Sequence, residues 1–203
     1  MQQAIFSIVL AGLWLAWLAL WIVWGFQTKT TARRESVGSR LSHGLPLLAA
    51  AVLMASRRLP IDWLYGRILP ASTAVAVPGL AMTATGLAFA IWARLHLGGN
   101  WSGTITLKQD HTLVRTGPYR LVRHPIYSGL LLALLGSAIA MGEWRGLLAV
   151  ALAWLALLRK ASLEERWMRA NFGDDYERYA SEVPALIPSI TRSGSRQRGH
   201  HEQ

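Results

Sequence analysis

The chain is 203 residues long, 52% hydrophobic and 16% charged, with no cysteine and a formal net charge of +10. An ordinary soluble domain carries about 25% charged residues, so this composition argues against one, and the missing cysteines exclude a disulfide framework and a thiolate metal site. The positive charge sits in short connections between apolar runs, which fits lipid headgroups and membrane orientation and argues against nucleic acid as a partner.

The first apolar run, Ala4 to Phe26, contains no Asp, Glu, Lys or Arg and is long enough to cross a bilayer core, which takes roughly 20 residues. The leading MQQAI lacks a basic n-region and no small-residue cleavage site follows, so the run reads as a retained span. Trp14, Trp17, Trp21 and Trp24 fall on one helical face, as expected of a packing or interfacial stripe. The second run, Leu41 to Ser56, is short and contains Pro46; it spans with a tilt, or it is re-entrant. Ala71 to Leu95 is the third.

Pro125 to Met141 and Gly146 to Leu158 are joined by Gly142-Glu143-Trp144-Arg145, and the second of them continues into a charged helix. This predicts a tight helical hairpin. The expected fold is an all-α polytopic membrane protein of about five transmembrane helices. Residues 1–95 hold the N-terminal helices, 96–190 the core, and 191–203 a polar, disordered tail. The connections 27–40 and 96–124 are rich in Lys and Arg, so the positive-inside rule places them in the cytoplasm. The N-terminus is then outside an inner or plasma membrane, with Asp62 and Glu143 in outer turns; Arg57, Arg58 and Arg67 run against this orientation.

Two constellations carry chemistry. Gly117-Pro118 makes a turn, and His124 precedes Pro125, which suits the first position of a helix. The helix start would present Arg123, His124 and unpaired amides to an anion. The alternative is structural, with Arg120 and Arg123 snorkelling to lipid phosphates and Tyr119 and Tyr127 anchoring the interface. At the end of the last apolar helix, Lys160 and Glu164 are four apart and share a face. They and Glu165 form either solvated helix-end ion pairs or a site facing the bundle interior. No G-x-G-x-x-G, P-loop or H-E-x-x-H spacing is present, and the histidines are isolated, so no metal site is expected.

His111-Thr-Leu-Val114, Gly117-Pro-Tyr119, Arg123-His-Pro-Ile-Tyr-Ser-Gly129, Glu164-Glu165, Asn171-Phe-Gly-Asp-Asp-Tyr176 and Val183-Pro-Ala-Leu-Ile-Pro188 resemble, as an ordered set, the C-terminal signature of the isoprenylcysteine carboxyl methyltransferase and phospholipid methyltransferase group. The resemblance covers about the last half of the chain, and the loop from Leu97 to Gly103 is similar to that of bacterial members. It implies a membrane methyltransferase that binds S-adenosylmethionine in a membrane-embedded cleft instead of a Rossmann domain. His111, Thr112, Leu113, Val114, Gly117, Tyr119, Arg123, His124, Pro125, Ile126, Tyr127 and Glu164 would form the cofactor pocket, with Arg123 and His124 meeting the cofactor carboxylate.

By the same resemblance Lys160 would contact the substrate; if the acceptor is an amine, a base such as Glu165 or His111 must remove a proton. The implied acceptor is lipophilic or small: a prenylcysteine carboxylate, a lipid amine or a thiol. Two other functions remain open, an NADPH-dependent membrane sterol or lipid reductase and a non-catalytic lipid-binding protein.

Overall fold

The computed structural model describes residues 2–25, 31–56, 58–98, 106–108 and 113–188. Five apolar helices dominate it: α1 (Gln2–Gly25), α2 (Val37–Ala55), α3 (Thr73–Leu97), α4 (Pro125–Met141) and α5 (Trp144–Phe172), followed by the short α6 (Asp174–Glu182). All but α4 are long and apolar enough to cross a membrane on their own. A two-stranded antiparallel ribbon, β1 (Thr31–Arg34) with β2 (Thr106–Lys108), is a small addition to the all-α expectation. The expected disordered tail, 191–203, lies outside the described residues.

The burial pattern is inverted relative to a soluble protein. Ile8, Leu15, Leu48 and Leu155 are 71%, 65%, 60% and 64% exposed, whereas Arg94, Lys160 and Glu165 are buried. Apolar side chains pointing outward and ionisable ones inward are what a hydrocarbon solvent selects. The chain is an integral membrane protein.

The short second run becomes a full helix because it starts earlier than expected. Ser36 caps α2 by accepting the Ser39 amide at 3.3 Å, and Pro46 is accommodated inside the helix. The charged end of the fifth run is not a separate element; α5 is continuous from Trp144 to Phe172. Gly142, in the left-handed region at φ 66°, closes the expected hairpin between α4 and α5.

The tightest contact joins α3 to α4. A Cβ on Gly86 would lie 2.5 Å from the Ala133 amide nitrogen, and one on Gly136 would lie 2.5 Å from that of Thr83. Gly79 and Gly86 on α3, and Gly129 and Gly136 on α4, repeat every seven residues, which keeps the small faces opposed along the seam. Thr83 and Ser137 hydrogen-bond at 3.2 Å at this seam, and the Trp14 indole donates to the Ser137 hydroxyl at 3.0 Å. One member of the tryptophan stripe therefore fastens α1 to α4.

Helix α2 lies antiparallel on α5 and is fixed at both ends. Arg145 donates to the carbonyls of Leu53, Met54 and Ser56, and Arg159 donates to the Ser42 hydroxyl at 2.6 Å. The two clamps are equally spaced along both helices, roughly 21 Å apart at 1.5 Å per residue. At the Arg145 end Glu143 neutralises the guanidinium at 2.6 Å, and a cavity of about 300 Å3 opens between α1, Tyr65, Arg67 and Arg145. The entry to α4 and the C-terminal segment Val183–Pro188 meet at the opposite end.

Candidate active site

The start of α4 is positioned by the residues before and after it. Gly117, at φ 58°, opens a 3-10 turn (Gly117–Arg120), and a Cβ there would lie 2.7 Å from the His96 ring. The turn aims Tyr119 inward, where it packs with Ala93 and Ile126. Burial pushes the Tyr119 phenol well above its ordinary pKa, so it remains neutral. Val114, Tyr127, Leu97, Leu130 and Trp21 complete this apolar wall.

The segment after α6 holds the other side. The backbone amides of Arg123 and His124 donate to the carbonyls of Pro184 and Ala185 at 2.8 and 3.0 Å, and the Ser128 hydroxyl donates to that of Leu186. The motif Val183–Pro188 is thus a strap laid against the entry to α4.

Polar side chains of α4 and α5 meet between these walls. Arg123 donates to Glu165 Oε1 through Nε at 2.9 Å and through its second amino nitrogen at 2.6 Å, while the other amino group reaches the carbonyls of Ala180 and Val183. His124 lies between two carboxylates, with Nδ1 3.5 Å from Glu164 and Nε2 3.3 Å from Glu165. The Tyr127 hydroxyl donates to Glu164 at 2.6 Å, and its ring stacks on that of His124 at 5.4 Å. The Lys160 ammonium sits 5.4 Å from the Tyr127 ring centroid. Burial works against a charged His124, but hydrogen bonds to Glu164 and Glu165 outweigh it, and its pKa lies above the ordinary histidine value.

That shift has a signed consequence. The folded state favours the imidazolium, so its contribution to stability is full below about pH 6.5, the unfolded value, and fades as pH rises through the higher folded value. Melting temperature in detergent should therefore fall from pH 6 towards alkaline pH more steeply for the parent protein than for His124→Gln. Parallel profiles would show that the ring carries no charge in the folded protein.

The structure brings Val114, Gly117, Tyr119, Arg123, His124, Pro125, Ile126, Tyr127, Lys160, Glu164 and Glu165 to one end of the bundle. Leu113 is half-buried beside them, and His111 and Thr112 lie outside the described residues.

Two of the expected site residues are engaged within the protein. Arg123 has four of its five N–H groups bound to Glu165 and to the carbonyls of Ala180 and Val183. Glu165, expected as a base, is ion-paired with Arg123, His124 and Arg169.

Two residues had no role from sequence. Glu35 and His43 are buried, 3.6 Å apart, at the same end of the bundle. The available signal was His43 within an otherwise apolar run with an acidic residue just upstream, and it is weak without the packing of α2 on α5.

The described helices thus form a bundle with apolar faces turned outward and a network of buried carboxylates and cations at one end. The chain belongs to the phospholipid methyltransferase family, whose profile matches residues 74–175. It is 35% identical over 101 residues to the protein-S-isoprenylcysteine O-methyltransferase of Schizosaccharomyces pombe, a match covering 48% of this chain and 43% of that protein. A probable protein-S-isoprenylcysteine O-methyltransferase of Oryza sativa subsp. indica is 27% identical over 170 residues, 77% of this chain and 89% of the relative. The cobalt-zinc-cadmium resistance protein CzcN of Cupriavidus metallidurans is 28% identical over 144 residues, 70% of this chain and 59% of that protein.

Proposed function

We propose that the protein is a membrane-embedded methyltransferase that uses S-adenosylmethionine and modifies a lipophilic acceptor entering from the bilayer, with its site on the cytoplasmic face. The observation that carries this is Glu164. Its side chain is 24% exposed, against 10% for Glu165 and His124, so it is the carboxylate of the cluster that an incoming ligand can reach.

The donor set fits the cofactor. A reachable carboxylate suits the methionine ammonium, and Tyr119, Ile126 and Val114 offer an apolar wall to adenine. S-adenosylmethionine supplies, when bound, an electrophilic methyl group on a sulfonium. The protein's part is to fix that methyl in line with the acceptor and exclude water. The strap, Arg123 and Glu165 hold His124 and Glu164 in place; Lys160, buried beside Tyr127, places a positive charge where an anionic acceptor can dock. The O-methyltransferase names of two relatives support methyl transfer and leave the acceptor of this chain to be established.

Calorimetric titration of the detergent-purified protein with S-adenosylmethionine, its demethylated product and NADPH tests the reading. Binding of the adenosyl ligands is expected, and binding of NADPH alone would overturn it. Glu164→Gln should weaken S-adenosylmethionine by at least about tenfold, the worth of a charge-assisted hydrogen bond. Unaltered affinity would remove Glu164 from the pocket.

A further inference from the structure

Glu35 and His43 lie outside the family-matched segment 74–175, yet they reach its polar site. The Arg159–Ser42 hydrogen bond at 2.6 Å joins the residues just before Lys160 and His43, which sets those two side chains at the same level of the α2–α5 interface. His43 lies within electrostatic reach of Lys160, Glu164 and Arg159 as well as Glu35, and Glu35 within reach of Tyr127. The His43 ring is 7% exposed; its Nε2 faces Glu35 Oε1 at 3.6 Å, and its Nδ1 is buried with no hydrogen-bond partner among the described residues. A buried imidazole nitrogen left unmatched is costly unless a ligand completes it.

Glu35 on Nε2 selects the tautomer with its proton on that side, which leaves the Nδ1 lone pair open. A neutral imidazole with an open lone pair accepts a proton. A carboxylate acceptor arrives without one. Among protic acceptors a thiol, ordinarily near pKa 8.5, gives up its proton more readily to an imidazole than an alkylammonium near 10.4 does.

We propose that His43, oriented by Glu35, is the general base of this site and that the acceptor is an amphipathic thiol. This rests on the methyltransferase reading above. The thiol proton passes to His43 Nδ1 while Lys160 stabilises the thiolate. The sulfur lone pair forms the new S–CH3 bond as the methyl–sulfonium bond of S-adenosylmethionine breaks, its electron pair leaving with the departing thioether. The imidazolium then returns its proton to water.

The test uses the full chain in lipid nanodiscs, methyl-labelled S-adenosylmethionine, and two probes: N-dodecanoyl-cysteinamide as thiol and dodecanoate as carboxylate. The parent should methylate the thiol. His43→Gln should lower that rate about 100-fold at pH 7, with the deficit shrinking at pH 9.5 as thiolate forms unaided, and with S-adenosylmethionine affinity unchanged by calorimetry. Glu35→Gln should show a smaller loss with a displaced pH profile, as befits a positioning residue. An unchanged thiol rate in His43→Gln, a pH-independent deficit, or weakened cofactor binding in that variant would overturn the proposal. So would a parent that binds S-adenosylmethionine yet methylates only dodecanoate, or neither probe; in those cases the cofactor reading survives. A parent that binds no S-adenosylmethionine overturns both.

Discussion

Glu165→Ala is expected to destabilise the protein by about 3–5 kcal/mol, the cost of leaving one partner of a buried ion pair alone. Glu165 neutralises Arg123 at 2.6 Å and faces His124 at 3.3 Å, and both ion pairs have side chains about one-tenth exposed. Alanine would leave the guanidinium with backbone carbonyls only and His124 with Glu164 only. The strap would loosen with them, because the amides of Arg123 and His124 hold Pro184 and Ala185. Two measurements read this: a lowered melting temperature in detergent, and faster tryptic cleavage after the exposed Arg178 of α6. Arg123→Ala should reproduce both. A Glu165→Ala variant as stable and as protease-resistant as the parent would mean that the pair is dispensable to the fold.

The second large effect is steric. Gly86→Leu must push α3 away from α4, because a Cβ alone already lies 2.5 Å from both the Ala133 nitrogen and the Gly129 carbonyl oxygen. These are backbone atoms that no rotamer change can move. Overpacking a close seam costs typically 1–3 kcal/mol and more when backbones must separate, so a loss of about 3 kcal/mol or more is expected in denaturant titration from mixed micelles. The apolar wall of the candidate site should suffer with it, since Ala93 on α3 packs against Tyr119 and Ile126. Gly12→Leu is the control. Nothing lies within 4 Å of a Cβ at Gly12, so the same change on α1 should be nearly neutral. Equal effects at the two positions would contradict the packed seam.

The membrane class, the number of apolar helices and the hairpin were legible in the sequence because each is a local property. A helix that must satisfy its backbone in hydrocarbon writes its length as a run of apolar residues, and Gly142 marks its end. The motif set also located the polar end of the bundle: Tyr119, Arg123, His124, Tyr127 and Glu164 do meet there. Helix α2 was underestimated because its first turn, Val37 to Arg40, is too polar to read as span; the Ser36 cap, with the packing of α2 on α5, makes it helix.

The division of labour within the site was decided only by tertiary structure. Arg123 and Glu165 are 42 positions apart, and nothing local distinguishes an arginine that receives a ligand from one whose donors are consumed by a distant carboxylate and a returning strap. Glu35 and His43 were silent for the same reason, since their approach to Lys160 depends on the antiparallel seating of α2 on α5. The sequence by itself determined which segments enter the bilayer and which motif set gathers at one face, because hydrophobic length and turn chemistry act over a few residues. Tertiary packing alone decided which charges neutralise one another and which carboxylate stays open, because electrostatic partnership depends on distance in space and on burial.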